Sequence, residues 1–168
     1  MVGYVPQRSV LFSGTIVDNI RYGNPEASDE DICEAADIAQ AMSFIREMSN
    51  GFDTKVSQGG TNLSGGQKQR LSIARALLRK PRIYLFDDSF SALDYKTDAR
   101  LRKALRTHFQ RSVVLIVAQR IRTIMDANQI IVLHNGRIAA TGTHQELLRT
   151  SDVYREIWRS QESEEEPA

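Results

Sequence analysis

Hydrophobic spacing along the chain changes period near its middle. The opening "VGYV", residues 2–5, reads as a short strand that stops at Pro6-Gln7. Residues 11–26, "LFSGTIVDNIRYGNPE", read as a loop. Ser28 with Asp31 resembles a capping box, and Ile32, Ala35, Ala39, Met42 and Ile45 recur at helical spacing until Asn50-Gly51 stops the run. Residues 52–62 are rich in Gly and polar side chains and read as a loop, after which Ser64 begins a helix that ends at Lys80-Pro81.

From Pro81 onward the apolar runs shorten and become continuous. "RIYLF" (residues 82–86) and "SVVLIVAQ" (residues 112–119) have the form of strands buried on both faces. Between them Leu101, Leu105 and Phe109 mark a helix that Asp94 can cap. "QIIVLHNG" and "RIAATG" are two strands meeting at an Asn135-Gly136 turn, and a final helix over about residues 143–161 leads into the acidic tail 162–168, read as a solvated end. The β-α-β-α-β alternation from Arg82 predicts an α/β layer with parallel strands. The first part is mainly helical, and neither an internal repeat nor a dividing linker is visible.

Composition narrows the class without naming it. At 168 residues, 41% hydrophobic and 26% charged, the chain suits a soluble globular domain. A net charge of +1 gives no field toward nucleic acid or an anionic membrane. The single cysteine, Cys33, cannot form an internal disulfide; among helix-pattern residues it is expected as a packed thiol, which fits an intracellular compartment. The longest apolar run, "VVLIVA", is far short of a membrane span, and the opening residues lack the pattern of a signal peptide.

Two local choices are costly without a ligand. Glycine at an early helical position costs about 1 kcal/mol relative to Ala, yet Gly65 and Gly66 stand together at the start of a strong helix. Bare backbone at a helix N-terminus, with the Ser64 hydroxyl beside it, suits a phosphate; the alternative is a capped helix with a flexible first turn. Asp87 and Asp88 end a strand-like run, where parallel sheets bind ligands. Adjacent carboxylates on extended backbone point opposite ways, so one can hold a hard cation such as Mg²⁺ while its neighbour addresses a water; the alternative is one cap and one solvated Asp. Gln119 ends the next run in the corresponding place, so these polar groups are expected on one sheet edge. His108, His134 and His144 read as surface or satisfied histidines, Arg70 and Arg75 as helix-surface residues, and Tyr4 as an ordinary strand residue.

Taken together these residues resemble a known family. "LSGGQKQRLSIARAL" is similar to the signature motif and helix of ATP-binding-cassette (ABC) ATPases, "IYLFDD" to their Walker B strand, "SALD" to the D-loop, and "VAQR" stands at the switch-histidine motif. "VPQ" resembles the Q-loop, and "LFSGTIVDNI" the segment that follows it in ABC exporters. The resemblance covers essentially the whole chain. It implies a P-loop NTPase (RecA-like) parallel-sheet core with a helical signature subdomain: residues 1–168 as one partial nucleotide-binding domain, about 8–80 helical, 81–161 the α/β core and 162–168 the tail.

The resemblance also implies roles. Gln7 would couple ATP and its Mg²⁺ to a transmembrane domain of the same or another chain, and Asp87 would organise the Mg²⁺. Asp88 stands where the family has a water-polarising Glu, and Gln119 where it has His. Ser64, Gly65, Gly66 and Gln67 would hold the γ-phosphate of ATP bound mainly to a second nucleotide-binding domain, with Asp94 acting across that interface. The protein would then work at the cytoplasmic face of the membrane.

The departures are specific. No G-x-x-x-x-G-K-[ST] occurs, and the family places that loop upstream of the Q-loop. The chain is therefore expected to be a C-terminal fragment with exposed sheet edges that favour instability. Asp88 and Gln119 weaken the local catalytic set, and Ser57-Gln58 stand where exporters usually carry Gly-Glu. This pattern resembles the degenerate-site subunit of a heterodimeric exporter. The alternatives are a slower homodimeric ATPase, a non-hydrolysing piece that only donates a signature motif, and a soluble non-transport ABC ATPase; charge and the exporter-like segment count against the last.

Overall fold

A computed structural model of the chain describes residues 2–109 and 112–163, and the tail expected at 162–168 lies mostly outside them. The chain divides into two compact units, Met1–Val117 and Ala118–Ala168.

The first unit is built on a three-stranded parallel sheet in the order β1-β4-β5, with β1 at Val2–Val5, β4 at Ile83–Asp87 and β5 at Val113–Val117. One face is packed. Val5, Tyr84 and Phe86 are buried there, and Phe86 meets the rings of Phe90 and Phe109 with centroids 5.3 and 6.0 Å apart. Leu71, Ile73 and Leu77 of α4 (Gly65–Leu78) and Leu101 and Leu105 of α5 (Tyr95–His108) complete this core.

The other face is open. Val2, Tyr4, Ile83, Val113, Leu115 and Val117 are all exposed, so the expected burial on both faces is corrected to one. A continuous apolar run reports two faces fit to be covered, not two faces that this chain covers.

Several elements differ from their sequence reading. The loop expected at residues 11–26 contains β2 (Gly14–Thr15) and α1 (Ile16–Arg21), whose Thr15–Asp18 capping box is complete. β2 pairs antiparallel with β3 (Lys55–Val56), inside the second expected loop. The single helix after Ser28 is two, α2 (Asp29–Ile38) and α3 (Met42–Glu47), because Gln40 adopts φ +57° between them. Its capping box at Ser28–Asp31 is present as expected. Cys33 is exposed on α2 and not packed, since the buried stripe runs through Ile32, Ala35 and Ala36.

Arg75, expected on the surface, is instead tied down on all sides. Its guanidinium donates to the carbonyls of Asn19 (2.8 Å) and Val10 (3.0 Å) and to Asn19 Oδ1 (2.9 Å). It also lies 5.1 and 5.7 Å from the ring centres of Phe12 and Tyr22. Buried Asn19 returns to Phe12 O and Thr15 O at 2.9 and 3.0 Å, so segment 10–22 is riveted to α4 by two side chains. Gly23 completes the fit: a Cβ there would sit 2.1 Å from Arg75 O. Arg70 is likewise half-buried, donating to Gln40 O at 2.9 Å and covering the Phe44 ring at 4.7 Å.

The second unit contains α6 (Ile121–Ile124), the hairpin β6 (Ile130–His134) and β7 (Arg137–Gly142), and α7 (His144–Thr150) and α8 (Asp152–Ser163). The hairpin turns through Asn135 and Gly136 at φ +49° and +73°, as their sequence demands. β6 pairs with β7 only, so among the described residues it is not the third parallel strand that the alternation suggested. The last helix is broken at extended Ser151 (φ −119°). His144 bonds Tyr154 Oη at 2.8 Å, a satisfied histidine as expected. Among the described residues no helix is long and apolar enough to cross a membrane.

Arg75→Met should cost about 3 kcal/mol, since it removes charge-assisted hydrogen bonds and leaves buried Asn19 short of a partner. Denaturant unfolding measures this, with exposed Lys103→Met as a control expected within about 0.5 kcal/mol of the parent. Asp31 accepts from Lys80 at 2.6 Å and from its own cap, which holds its carboxyl down at about 2. A depressed folded value contributes stability above the unfolded value near 3.8 that is lost as pH falls toward 2. Asp31→Asn should flatten the stability profile across that window; an unchanged profile contradicts the assignment.

Candidate functional site

Parallel pairing brings the carboxyl ends of β4 and β5 level, and the carboxylates stand at that edge. β4 ends with Asp87, and the next residue, Asp88, turns out of the strand at φ +43° while its N–H still donates to Val117 O at 2.8 Å. Asp tolerates this left-handed conformation better than most residues. The turn sends the two side chains to different partners. Tyr4 donates to Asp87 Oδ2 and Gln7 Nε2 to Asp88 Oδ2, each at 3.0 Å.

The loop below is fixed by hydroxyls. Buried Ser89 donates to Val5 O at 2.8 Å and Ser91 to Asp88 O at 2.9 Å, tying the carboxylate turn to the end of β1. Neither Tyr4 nor Gln7 carries a charge, so neither offsets the negative charge of the pair. Hard oxygen donors at a sheet edge suit Mg²⁺, which takes one or two carboxylates and fills the remaining positions with phosphate oxygens and water. Among the described residues no group of three or more acidic, His or Cys side chains gathers as a closed metal cage.

A second cluster forms at the start of α4. Ser64 Oγ accepts from Gln67 N at 3.2 Å, and Gln67 Oε1 accepts from Ser64 N at 2.9 Å, a reciprocal cap. The cap spends the amides of Ser64 and Gln67, leaving those of Gly65 and Gly66 in the first turn without intrahelical acceptors. The Ser64 hydroxyl proton also stays available, because its oxygen acts there as acceptor. Gly66 packs closely, a Cβ lying 3.3 Å from Ala92 O, whereas a Cβ on Gly65 would meet nothing within 4 Å. Glycine at 65 therefore has no internal reason in the fold. Asp94 follows in the same stretch and caps α5 through Thr97 N at 2.9 Å. Hydrogen bonds from Thr97 hold its carboxyl below the usual range, and it sits within the field of Arg70.

One residue joins the two clusters. Gln69, buried in α4, donates to Pro6 O at 3.3 Å and accepts from Ser9 Oγ, so the capped helix grips the residues on either side of Gln7. Sequence reading missed Gln69 because helical spacing alone does not say which polar residue turns inward. Gln119 lies beyond β5 in the second unit, where its carbonyl accepts from Gln161 Nε2 at 2.7 Å. A shallow surface cavity of about 150 Å³ lined by Tyr4, Pro6, Val10, Tyr22 and Arg75 is too small for a nucleotide.

Comparison with known proteins points the same way. A family model described as ABC transporter matches residues 1–91. The chain is 51% identical over 160 residues to the uncharacterized ABC transporter ATP-binding protein YfiB of Bacillus subtilis, covering 95% of this chain and 28% of that protein. It is 42% identical to a putative export ATP-binding/permease protein of Rickettsia felis, over 96% of this chain and 28% of the relative. Among solved structures, a bacterial Atm1-family ABC exporter with ATP bound superposes with a TM-score of 0.92 at 42% identity, covering 95% of this chain and 28% of that one. The chain thus spans about a quarter of the length of the relatives it matches. The mixed α/β fold with its parallel sheet is that of the exporter ATP-binding domain, a P-loop NTPase fold.

Gln69→Leu keeps the side-chain volume but abandons Pro6 O and Ser9 Oγ. It should cost about 1–3 kcal/mol in denaturant unfolding. Stability within about 0.5 kcal/mol of the parent would show that the link to the Gln7 segment is idle.

Proposed function

The chain belongs to the ABC transporter family, as an ATP-binding domain homologous to those of exporters, and from that membership we propose that it is part of the ATPase that drives export across a membrane. The observation that carries the reading is the hydrogen bond from Gln7 to Asp88, with Asp87 beside it, at the carboxyl end of the central parallel strand. Residues 1–168 are part of a single nucleotide-binding domain. Its transmembrane partner is on the same or another chain, and the domain works at the cytoplasmic face.

Each residue then has a task. Asp87 binds Mg²⁺, and Gln7, whose amide nitrogen is engaged with Asp88, offers its amide oxygen to the same cation and links it to the transmembrane domain. Bound MgATP supplies a phosphoryl group whose transferring charge is stabilised by the cation and by oriented N–H donors. Asp88 orients the attacking water. Ser64, Gly65 and Gly66 present a hydroxyl and two backbone amides to the γ-phosphate of ATP held mainly by a second nucleotide-binding domain, while Gln67 keeps that turn capped. Asp94 acts across the same interface.

The two sides of the domain are unequal. The signature turn is complete, whereas Asp88 is one methylene shorter than the Glu of the family's motif, and Gln119, which stands at the switch-histidine position of the sequence, can donate a hydrogen bond but cannot become cationic. A carboxylate misplaced by about 1 Å can lower a rate on the order of a hundredfold. The local site thus binds better than it hydrolyses, and the chain completes the active site of a different subunit in a heterodimer.

In the full-length protein, Asp88→Glu combined with Gln119→His should raise single-site ATP hydrolysis by about tenfold or more. Quenched-flow measurement of phosphate release from that site tests it. An unchanged rate removes the degenerate-site assignment and leaves a slow symmetric ATPase.

A further inference from the structure

β1 and the residues after it deliver a donor to each carboxylate, and only one of the two donors has a task so far. In the parallel register Tyr4 pairs with Leu85. Side chains repeat every second residue along a strand, so Tyr4, Leu85 and Asp87 stand on the same face of the sheet. The phenol reaches along that face to Asp87 Oδ2 at 3.0 Å. The neighbours of Asp87 on this face, Leu85 and Val117, are apolar and place no polar restraint on its carboxylate. The Tyr4 hydroxyl can only donate to an ionised carboxylate, and doing so fixes one oxygen and sets the direction of the other.

We propose that Tyr4 is a positioning residue for Asp87: its hydroxyl holds Oδ2 and turns Oδ1 toward the divalent cation. The inference rests on the reading of Asp87 as the Mg²⁺ carboxylate. Outer hydrogen bonds to a metal ligand commonly govern affinity by about tenfold or more, because they fix the ligand before the ion arrives. Gln7 serves Asp88 in the same way from three residues further along, so one short segment orders both carboxylates independently. Tyr4 is half-exposed, and removing its hydroxyl leaves the buried face of β1, which is Gly3 and Val5, untouched.

The test is Mn²⁺ binding, read by electron paramagnetic resonance, in the full-length protein with a non-hydrolysable ATP analogue. Tyr4→Phe and Tyr4→Leu should each weaken Mn²⁺ about tenfold, with unchanged metal-free nucleotide affinity and unchanged thermal unfolding. Mn²⁺ affinity of Tyr4→Phe within twofold of the parent overturns the proposal. So does a loss confined to Tyr4→Leu, which would assign the effect to the ring, or an equal loss of metal-free nucleotide affinity. Asp87→Asn separates this failure from a deeper one: if it leaves Mn²⁺ binding of the parent intact, Asp87 is not the metal carboxylate and the functional reading falls with it.

Discussion

Everything in the first unit hangs on how α4 is held. Arg75 anchors its later turns to segment 10–22 through three hydrogen bonds and two aromatic rings. Gln69 holds its middle against Pro6 and Ser9, and the Ser64–Gln67 cap sets its first turn. These contacts lie along one rigid rod. A half-buried guanidinium with satisfied donors is stable in place, but an orphaned one, or an orphaned Asn19 carbonyl, would be expensive. The helix therefore carries both the bare amides at its N-terminus and the support for Gln7, so the two candidate clusters share one mechanical part.

Each carboxylate accepts a hydrogen bond from a neutral side chain. Tyr4 and Gln7 hydrogen-bond Asp87 and Asp88 without cancelling their charge, which suits a site whose counter-charge arrives with a ligand. The left-handed Asp88 separates the pair, giving each carboxylate its own donor. In an ABC ATPase this division suits one carboxylate for the cation and one for water. The open apolar face of the sheet lies on the Tyr4 and Asp87 side, against the packed aromatic face opposite.

What could be read from the sequence was whatever has a local cause. Ser64, Asp94 and Ser28 announce helix starts because a short polar side chain can cap only the amides next to it, and all three do so. Asn135-Gly136 announces its turn because few residues accept two successive positive φ values. The strand edge bearing Asp87 and Asp88 followed from the end of an apolar run. What stayed hidden depends on pairing. Tyr4 meets Asp87 across 83 positions of sequence, which only the strand register reveals. Arg75 looks like a surface residue until Asn19 and the two rings close over it. The breaks at Gln40 and Ser151 carry no Gly or Pro to mark them, and α1 is masked by its β-branched residues and the Gly14 before it.

On the proposed reading Gly65 is bare for a phosphate held outside this chain. A Cβ added there meets nothing within 4 Å, and Asp at a first helical position suits the helix dipole, so Gly65→Asp should fold normally. The decisive measurement is Mg²⁺-dependent ATP hydrolysis by the full-length protein carrying that substitution. A loss on the order of a hundredfold or more is expected, since a carboxylate would stand where the proposed γ-phosphate contact needs a preorganised donor. Hydrolysis within twofold of the parent would contradict it.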